Sequence, residues 1–346
     1  MIDRSVYISY RRRYCFSAAL ALFHALRAEG CDVFMDAGAF NDRDAVDLAQ
    51  IEARAHFLVV IAPGMVEMVQ KPDDSMAREI ERAVASRRNI VPLRASDGPF
   101  TTSSLPREIG VLRRYYALTL TPETLADTVV TLTEQRFNCA IFGSIAPTPA
   151  EQEQAVRQRI AGAASLPVPT DDELRAEIVF NHALTRVRQD HAGRIADLDE
   201  VLRLNPAHVE ARFDRAVVRR RSGDESGAFE DYDTVLTLAP QYYRAYNNRA
   251  ELYFTHRAYA KALADFEQAT ALRPNYTMSL AGMALTLHAL GRFDEAVRIW
   301  KPLAARDERY YDPLWVGREL RLPTTMIDEI RSLTQHLNTQ FHAPDD

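Results

Sequence analysis

Along the first 136 residues, apolar runs of strand type take turns with segments whose apolar positions recur at helical spacing. Val6–Tyr10 reads as a short strand and Phe16–Glu29 as an amphipathic helix stopped by Gly30. Asp32–Met35 predicts a second strand and Asp42–Arg54 a second helix. Phe57–Ala62 is apolar at every position, as expected of a central parallel strand buried on both faces. A helix is expected over Asp73–Arg88, then strands over Ile90–Leu93 and Tyr115–Leu120. The last helix of this half spans Pro122–Arg136, with Thr121 as N-cap and Pro122 at the first helical position. Strands alternating with helices predict an α/β flavodoxin-like parallel five-stranded sheet covered on both faces. Ligands of such sheets bind at the carboxyl ends of the strands.

The second half is helical and periodic. Pro206, Pro240 and Pro274 are spaced by 34 residues, as are Ala216, Ala250 and Ala284. The same spacing relates Ala228, Ala262 and Ala296, and the aromatic positions Tyr232, Phe266 and Trp300. Each unit reads as a helical hairpin; in the middle one the helices are Tyr243–Phe254 and Tyr259–Ala271. The alanines let helices approach closely, and the aromatics fill the space between hairpins. Gly223 and Gly291 mark the turns, and the proline closes each second helix because it cannot continue one. This pattern resembles the tetratricopeptide repeat, an all-α helical-hairpin solenoid. Three units are clear, 207–240, 241–274 and 275–308. A fourth, 173–206, is degenerate, with His182 and Arg194 where the others carry alanine, and the last has Glu308 in place of the closing proline. Atypical end units are expected of capping positions.

The predicted organisation is therefore an α/β domain over 1–136, a proline-bearing linker over 137–172 in which Ala150–Ala164 reads as helix, repeats over 173–322, and a C-terminal capping segment over 323–346 with a helix at about Met326–Leu337. The repeats imply a partner-binding or self-associating surface, with Tyr242, Tyr243, Tyr246, Asn247, Asn248 and Arg249 as candidates to line a peptide groove.

Composition narrows the function. Apolar residues make up 47% and charged residues 26%, and the net charge is −6. Without a basic run, nucleic-acid binding has no electrostatic support. The three cysteines, Cys15, Cys31 and Cys139, have no CxxC spacing, and the nine histidines no metal-binding spacing, so neither a disulfide scaffold nor a metal site is expected. Met1-Ile2-Asp3-Arg4 leads straight into a strand, without a signal-peptide layout, and no apolar stretch approaches bilayer length, so a cytoplasmic, non-membrane protein is expected. Neither GxGxxG nor GxxxxGK[ST] nor GxSxG is present, so the sheet's chemistry has another source.

That source is suggested by a resemblance. Val6-Tyr7-Ile8-Ser9-Tyr10-Arg11-Arg12 looks like the opening strand of TIR domains, and Asp32-Val33-Phe34-Met35-Asp36 like their second strand. Phe57 to Gly64 resembles their third strand, and Ala77-Arg78-Glu79-Ile80 with Asn89-Ile90-Val91-Pro92-Leu93 their third helix and fourth strand. Over its first 136 residues the chain is most similar to the NAD-cleaving members. The resemblance implies cleavage of the nicotinamide–ribose bond of NAD+, which is then substrate rather than cofactor, to nicotinamide and ADP-ribose or a cyclised form. Nicotinamide leaves neutral from a cation, so no general acid is required, unlike ordinary glycoside hydrolysis. What needs stabilising is an oxocarbenium-like ribose, and one carboxylate against the sugar suffices.

By this resemblance Glu79 is the catalytic carboxylate. A helical wheel alone leaves it open, because Glu79 and Glu81 border opposite sides of the stripe Met76–Ile80–Ala83. Arg11 and Arg12 follow the first strand, where planar guanidinium forks suit a pyrophosphate; Tyr10 stands beside them as a further NAD contact. Asn41 aligns with a nucleotide-contacting position that is often acidic, and Ser75 stands where close relatives carry a tryptophan beside the ligand. The family role implied is anti-phage defence by NAD depletion, carried out by a homo-oligomer assembled through its TIR domains and its repeats. The alternative is a non-catalytic adaptor that binds other TIR domains and, through the repeats, a client protein.

Overall fold

The computed structural model describes residues 3–37, 48–65, 74–96, 105–187 and 189–341. It contains two compact units, Met1–Ala211 and Arg212–Asp346.

The first unit is built on a parallel sheet in the order β2-β1-β3-β4-β5, from β1 (Ser5–Ser9), β2 (Asp32–Phe34), β3 (His56–Ile61), β4 (Asn89–Arg94) and β5 (Leu118–Thr119). Tyr7 pairs in register with Phe34 on one side and Phe57 on the other, and the three rings stack at 5.4 and 5.6 Å. Phe57–Ile61 of β3 are buried, as their unbroken apolar run predicts, and His56 at the start of the strand is buried with them. Helix α1 (Arg12–Ala28) packs with α4 (Leu125–Thr131), and α2 (Leu48–Glu52) with α3 (Ser75–Ala85). The predicted chain order of strands and helices holds, with three differences of cause. Helix α1 begins at Arg12, but Cys15 at φ −153° and ψ 36° breaks it, so its regular part starts at Phe16, where the apolar periodicity starts. Helix α4 begins at Leu125 rather than Pro122: Thr124 and Leu125 donate to the Thr121 carbonyl, and Thr121–Thr124 becomes a turn. Strand β5 shrinks to two residues because Arg107–Arg114 winds into a 3₁₀ turn that leaves Tyr116 exposed. The predicted helix from Asp42 is described only over Leu48–Glu52.

The stretch after residue 136 packs on this unit rather than spanning freely. Arg88 donates to the Ser144 carbonyl at 2.7 Å and Ala146 N–H to the Glu52 carbonyl at 3.0 Å. Helix α5 (Glu153–Ser165) lies by the edge strand β2, covering an edge that would otherwise expose unpaired backbone. Helices α6 (Asp171–Thr185) and α7 (His191–Leu204), the degenerate hairpin, belong to the same compact unit. Thr170 and Glu173 close a capping box at the start of α6.

The division falls within α8 (Val209–Ser222). The second unit continues with α9 (Glu225–Leu238), the hairpins α10 (Tyr243–Thr255) with α11 (Tyr259–Leu272) and α12 (Thr277–Ala289) with α13 (Phe293–Arg306), then α14 (Pro313–Glu319) and α15 (Thr324–Phe341). The periodic positions are its core: Ala216, Ala228, Ala250, Ala262, Ala284 and Ala296 are fully buried, as are Tyr232, Phe266 and Trp300. Helix α15 lies against α12 and α10 and buries Met326, Ile330, Leu333 and Leu337. It starts two residues before the predicted Met326.

The hairpin turns carry one instructive exception. Gly223 and Gly291 adopt φ of +90° and +76°, and the equivalent residue of the middle unit is Arg257, at φ +57°. A side chain there bears a left-handed conformation that costs about 1–2 kcal/mol. We expect Arg257→Gly to raise unfolding stability by about 0.5–1 kcal/mol, part of the strain relief being offset by the greater freedom of glycine in the unfolded chain. Urea denaturation monitored by circular dichroism measures it; an unchanged or lower stability would mean that Arg257 repays its strain through side-chain contacts.

Candidate active site

In a 2-1-3-4-5 sheet the chain reverses its direction of winding between β1 and β3, and open α/β sheets bind their ligands at that switch point, in the crevice outside the carboxyl ends of the strands. The residues leaving these two ends are Ser9-Tyr10-Arg11 and Ala62-Pro63-Gly64. Helix α3, which follows β3, carries Glu79.

The start of α3 is fixed locally. Asp74 is its N-cap, accepting from Met76 N–H at 2.9 Å and Ala77 N–H at 3.1 Å. Met76, Ile80 and Ala83 face the core. Glu79 lies beside that stripe, and its Oε2 accepts a hydrogen bond from the Ser9 hydroxyl at the end of β1. Protein surrounds the carboxyl, yet Glu79 keeps part of its surface exposed. Burial pushes its pKa up to about 7, against the lowering pull of Ser9, Arg11 and Tyr7. A carboxyl poised near neutrality at a sheet's switch point has the character expected of a catalytic group. Glu81, its rival on the helical wheel, is exposed.

Arg11 is buried, and its guanidinium pairs with Asp74 and donates to Ser75 Oγ. It therefore ties the end of β1 to the first turn of α3 and holds Glu79's helix in place. Ser75 accordingly anchors Arg11 where the resemblance would place a tryptophan. Tyr10 and Arg12 turn the other way. Tyr10 OH donates to the Asp36 carbonyl at 2.6 Å and Arg12 to the Ala37 carbonyl at 2.6 Å, with the Arg12 guanidinium 4.1 Å over the Phe16 ring. Both steady the chain as it leaves β2. Asn41 lies outside the described residues. The structure thus brings Glu79, Arg11 and Ser75 together, and gathers Tyr10 and Arg12 at the β2 exit.

Sequence reasoning did not single out Ser9 or Asp74 as site residues. Ser9 had a signal: a small polar residue closing an otherwise apolar strand at its carboxyl end. Asp74 had one as well, an aspartate directly before an apolar helical stripe. Cys15 is buried, and burial raises its thiol far above the range of a reactive cysteine. His56 stacks at 4.2 Å on Phe137 and hydrogen-bonds the Asp3 carbonyl at the opposite, amino end of the sheet, where it supports the fold.

In the second unit most of the groove candidates are already engaged. Asn247 is fully buried, bonding Glu251 at 2.8 Å and accepting from Ser279 at 3.0 Å. Arg249 forms a bidentate pair with Asp265 at 2.7 and 2.8 Å, and the Tyr243 hydroxyl accepts from Arg273 at 2.6 Å. These residues join helices to one another, and Tyr242 is buried with them.

Comparison with known proteins bears on this second half. Residues 243–276 match the tetratricopeptide repeat family. A crystal structure of a tetratricopeptide repeat protein from Parabacteroides merdae is similar to 55% of this chain and 71% of that one, at 19% identity and a TM-score of 0.38. No curated protein matches the chain. A five-stranded parallel sheet is followed by a helical repeat region in which residues 243–276 match one tetratricopeptide unit, and such repeats generally mediate protein–protein contacts. Among the described residues, no helix is long and apolar enough to cross a membrane.

Proposed function

We propose that the α/β half is a TIR-type domain that cleaves the nicotinamide–ribose bond of NAD+, and that the repeats control its assembly or bind its partner. The observation that carries this reading is Glu79: a carboxyl held by Ser9 at the β1–β3 crevice, desolvated to about pH 7 and still partly exposed. In this reading the carboxylate faces the ribose and stabilises the positive charge that develops as nicotinamide departs. The cationic nicotinamide ring favours the ionised carboxylate before reaction, so substrate and charge state support each other. Arg11 sets the position of α3 and thereby of the carboxylate.

The test is release of nicotinamide and ADP-ribose by the purified full chain, followed by chromatography over a wide protein concentration range. A rate that rises more steeply than linearly with protein supports an assembled enzyme. Absence of cleavage at every concentration favours the adaptor reading. The pH profile adds a sharper criterion. Glu79 must be ionised to act, so kcat/KM is expected to rise with pH, about tenfold per unit on the acid side, and to level off above about 7. The kcat profile, reporting the substrate complex, should be displaced to lower pH by the substrate's cation. A kcat/KM profile flat from pH 5 to about 8 would contradict an ionising Glu79.

A further inference from the structure

The break in α1 at Cys15 leaves backbone groups without helical partners: the Tyr14 carbonyl before it and the first N–H groups of the helix that resumes at Phe16. Helix α6 supplies the missing partners from about 160 residues further along the chain. The Glu177 carboxylate accepts from Ser17 N–H and, at 3.1 Å, from Ala18 N–H. One turn on, Asn181 Nδ2 donates to the Tyr14 carbonyl at 2.7 Å. Both side chains are buried. The same helix lies over the turn that follows β3, where a Cβ on Gly64 would meet Asn181 Oδ1 and the Leu184 side chain at 2.9 Å. Helix α6 thus grips the chain as it leaves both β1 and β3, the two strands that flank the crevice.

The repeat register shows that this grip is a specialisation rather than decay. Position 177 corresponds to Ala211, Ala245 and Ser279, and position 181 to Arg215, Arg249 and Met283. Arg215 and Arg249 each close their own hairpin on an aspartate, Asp231 and Asp265. In the first hairpin the corresponding Asp197 is retained, but Arg186 pairs with it instead. Asn181 is thereby released to reach α1, and Glu177 stands where the other units keep a small residue.

From the break the connection continues to the site. The Arg11 carbonyl accepts from Tyr14 N–H at 2.9 Å and Cys15 N–H at 3.0 Å, within the short turn that the break sets off from the rest of α1. The Arg11 side chain holds Asp74 and Ser75 at the start of α3, which carries Glu79. We propose that Glu177 and Asn181 are positioning residues: by closing the break in α1 they fix Arg11, and through it α3 and Glu79, so that docking of the first repeat helix sets the competence of the site. This rests on the NAD-cleavage reading for its catalytic consequence, but not for its structural one.

The experiment uses the full chain with Glu177→Ala, Glu177→Gln and Gly64→Ala, the last pushing on Asn181 and Leu184 of α6 while leaving both α6 side chains that close the break in α1 unsubstituted. Amide hydrogen exchange is read at Ser17, Ala18 and across α3, alongside kcat and KM for NAD+. Expected for Glu177→Ala are exchange at least about tenfold faster at Ser17, Ala18 and in the first turns of α3, and a kcat at least about tenfold lower with KM changed less than about threefold. Glu177→Gln, which keeps an acceptor oxygen, should recover most of both. Gly64→Ala should lower kcat likewise, and it decides the matter if Glu177→Ala does not fold. Faster exchange at Ser17 and Ala18 with α3 unchanged would overturn the proposal whether or not the protein cleaves NAD+. An unchanged kcat in a wild type that does cleave NAD+ would overturn it too. A wild type without activity would overturn the NAD reading alone and leave the exchange at α3 to decide the coupling.

Discussion

Glu79→Gln is expected to abolish NAD+ cleavage while making the protein more stable at pH 8. The loss should be on the order of 10²–10³ in kcat, the usual effect of removing a preorganised group aimed at developing charge. Glutamine keeps the shape and still accepts from Ser9, so the change removes little but the charge. The stability gain follows from the proton balance. Glu79 ionises near 7 in the folded protein, against an ordinary value of 4.5. The folded state therefore holds a proton that the unfolded chain has released, and stability falls as pH rises from about 4.5 to about 7, then levels. Glutamine has no such cost, so the variant should match the wild type near pH 4 and exceed it at pH 8.

The opposition of the two effects makes the experiment decisive. A carboxylate whose ionised form the fold favours would lose stability when neutralised, because its partners would be left with a weaker acceptor. A functional one is kept at the expense of stability, and its removal reverses that. Thermal melts at pH 4 and pH 8 and NAD+ turnover on the same preparations provide both readings. Turnover within a few-fold of wild type would refute the role of Glu79, and a variant less stable at pH 8 would refute its charge state. Glu177 offers an internal comparison. Burial pushes its carboxyl up to about 7 as well, but it accepts from backbone N–H groups of α1, so turnover together with the stability shift, and not the shift alone, separates the two roles.

The strands were readable from sequence because burial on both faces forces an unbroken apolar run, as in β3. The repeats were readable because close packing fixes alanines and aromatics at a period that four separate registers share. Helix starts were less certain where local hydrogen bonds compete: Thr121 and Pro122 have the form of a cap, yet Thr124 Oγ1 donates to the Thr119 carbonyl and accepts from Thr121 N–H, and the helix waits until Leu125. The break at Cys15 was readable only as the start of the apolar period at Phe16; the helical turn before it was not. Nothing near it forbids a straight helix; its orphaned groups find partners on α6, far along the chain. For the same reason neither Glu177 nor Asn181 stood out within a unit that read as degenerate at His182 and Arg194. At the site, Glu79 was nameable through the resemblance, whereas the pairing of Arg11 with Asp74 depends on how β1 and α3 approach in space. Asn247 and Arg249 illustrate the converse: polar residues in a repeat's first helix suggest a groove, but the hairpins use them to hold one another.

Trp300→Ala should cause the largest loss of stability in the repeats, about 3–5 kcal/mol. Trp300 is fully buried in α13, edge-on to Tyr310 with ring centres 5.8 Å apart, in a cluster that includes Phe266, Ala284 and the buried face of α15. Alanine leaves a space that surrounding helices fill only in part. Trp300→Phe should behave quite differently, costing about 1 kcal/mol or less. The repeat itself places phenylalanine at the equivalent position 266 and tyrosine at 232, so this pocket type accepts smaller rings. The substitution also removes an indole N–H that is buried without a hydrogen-bond partner among the described residues, and losing an unsatisfied donor offsets part of the lost volume. Because each repeat leans mainly on its neighbours, exchange protection after Trp300→Ala should collapse first in α12 to α15 and persist longer in α10 and α11. Urea denaturation gives the magnitudes and hydrogen exchange the location. An alanine variant within about 1 kcal/mol of wild type would mean that the aromatic register is a consequence of the repeat's ancestry rather than its packing. A phenylalanine variant as unstable as the alanine one would mean that each hairpin has shaped its pocket to one ring alone, and that the period records helix spacing without interchangeable cores.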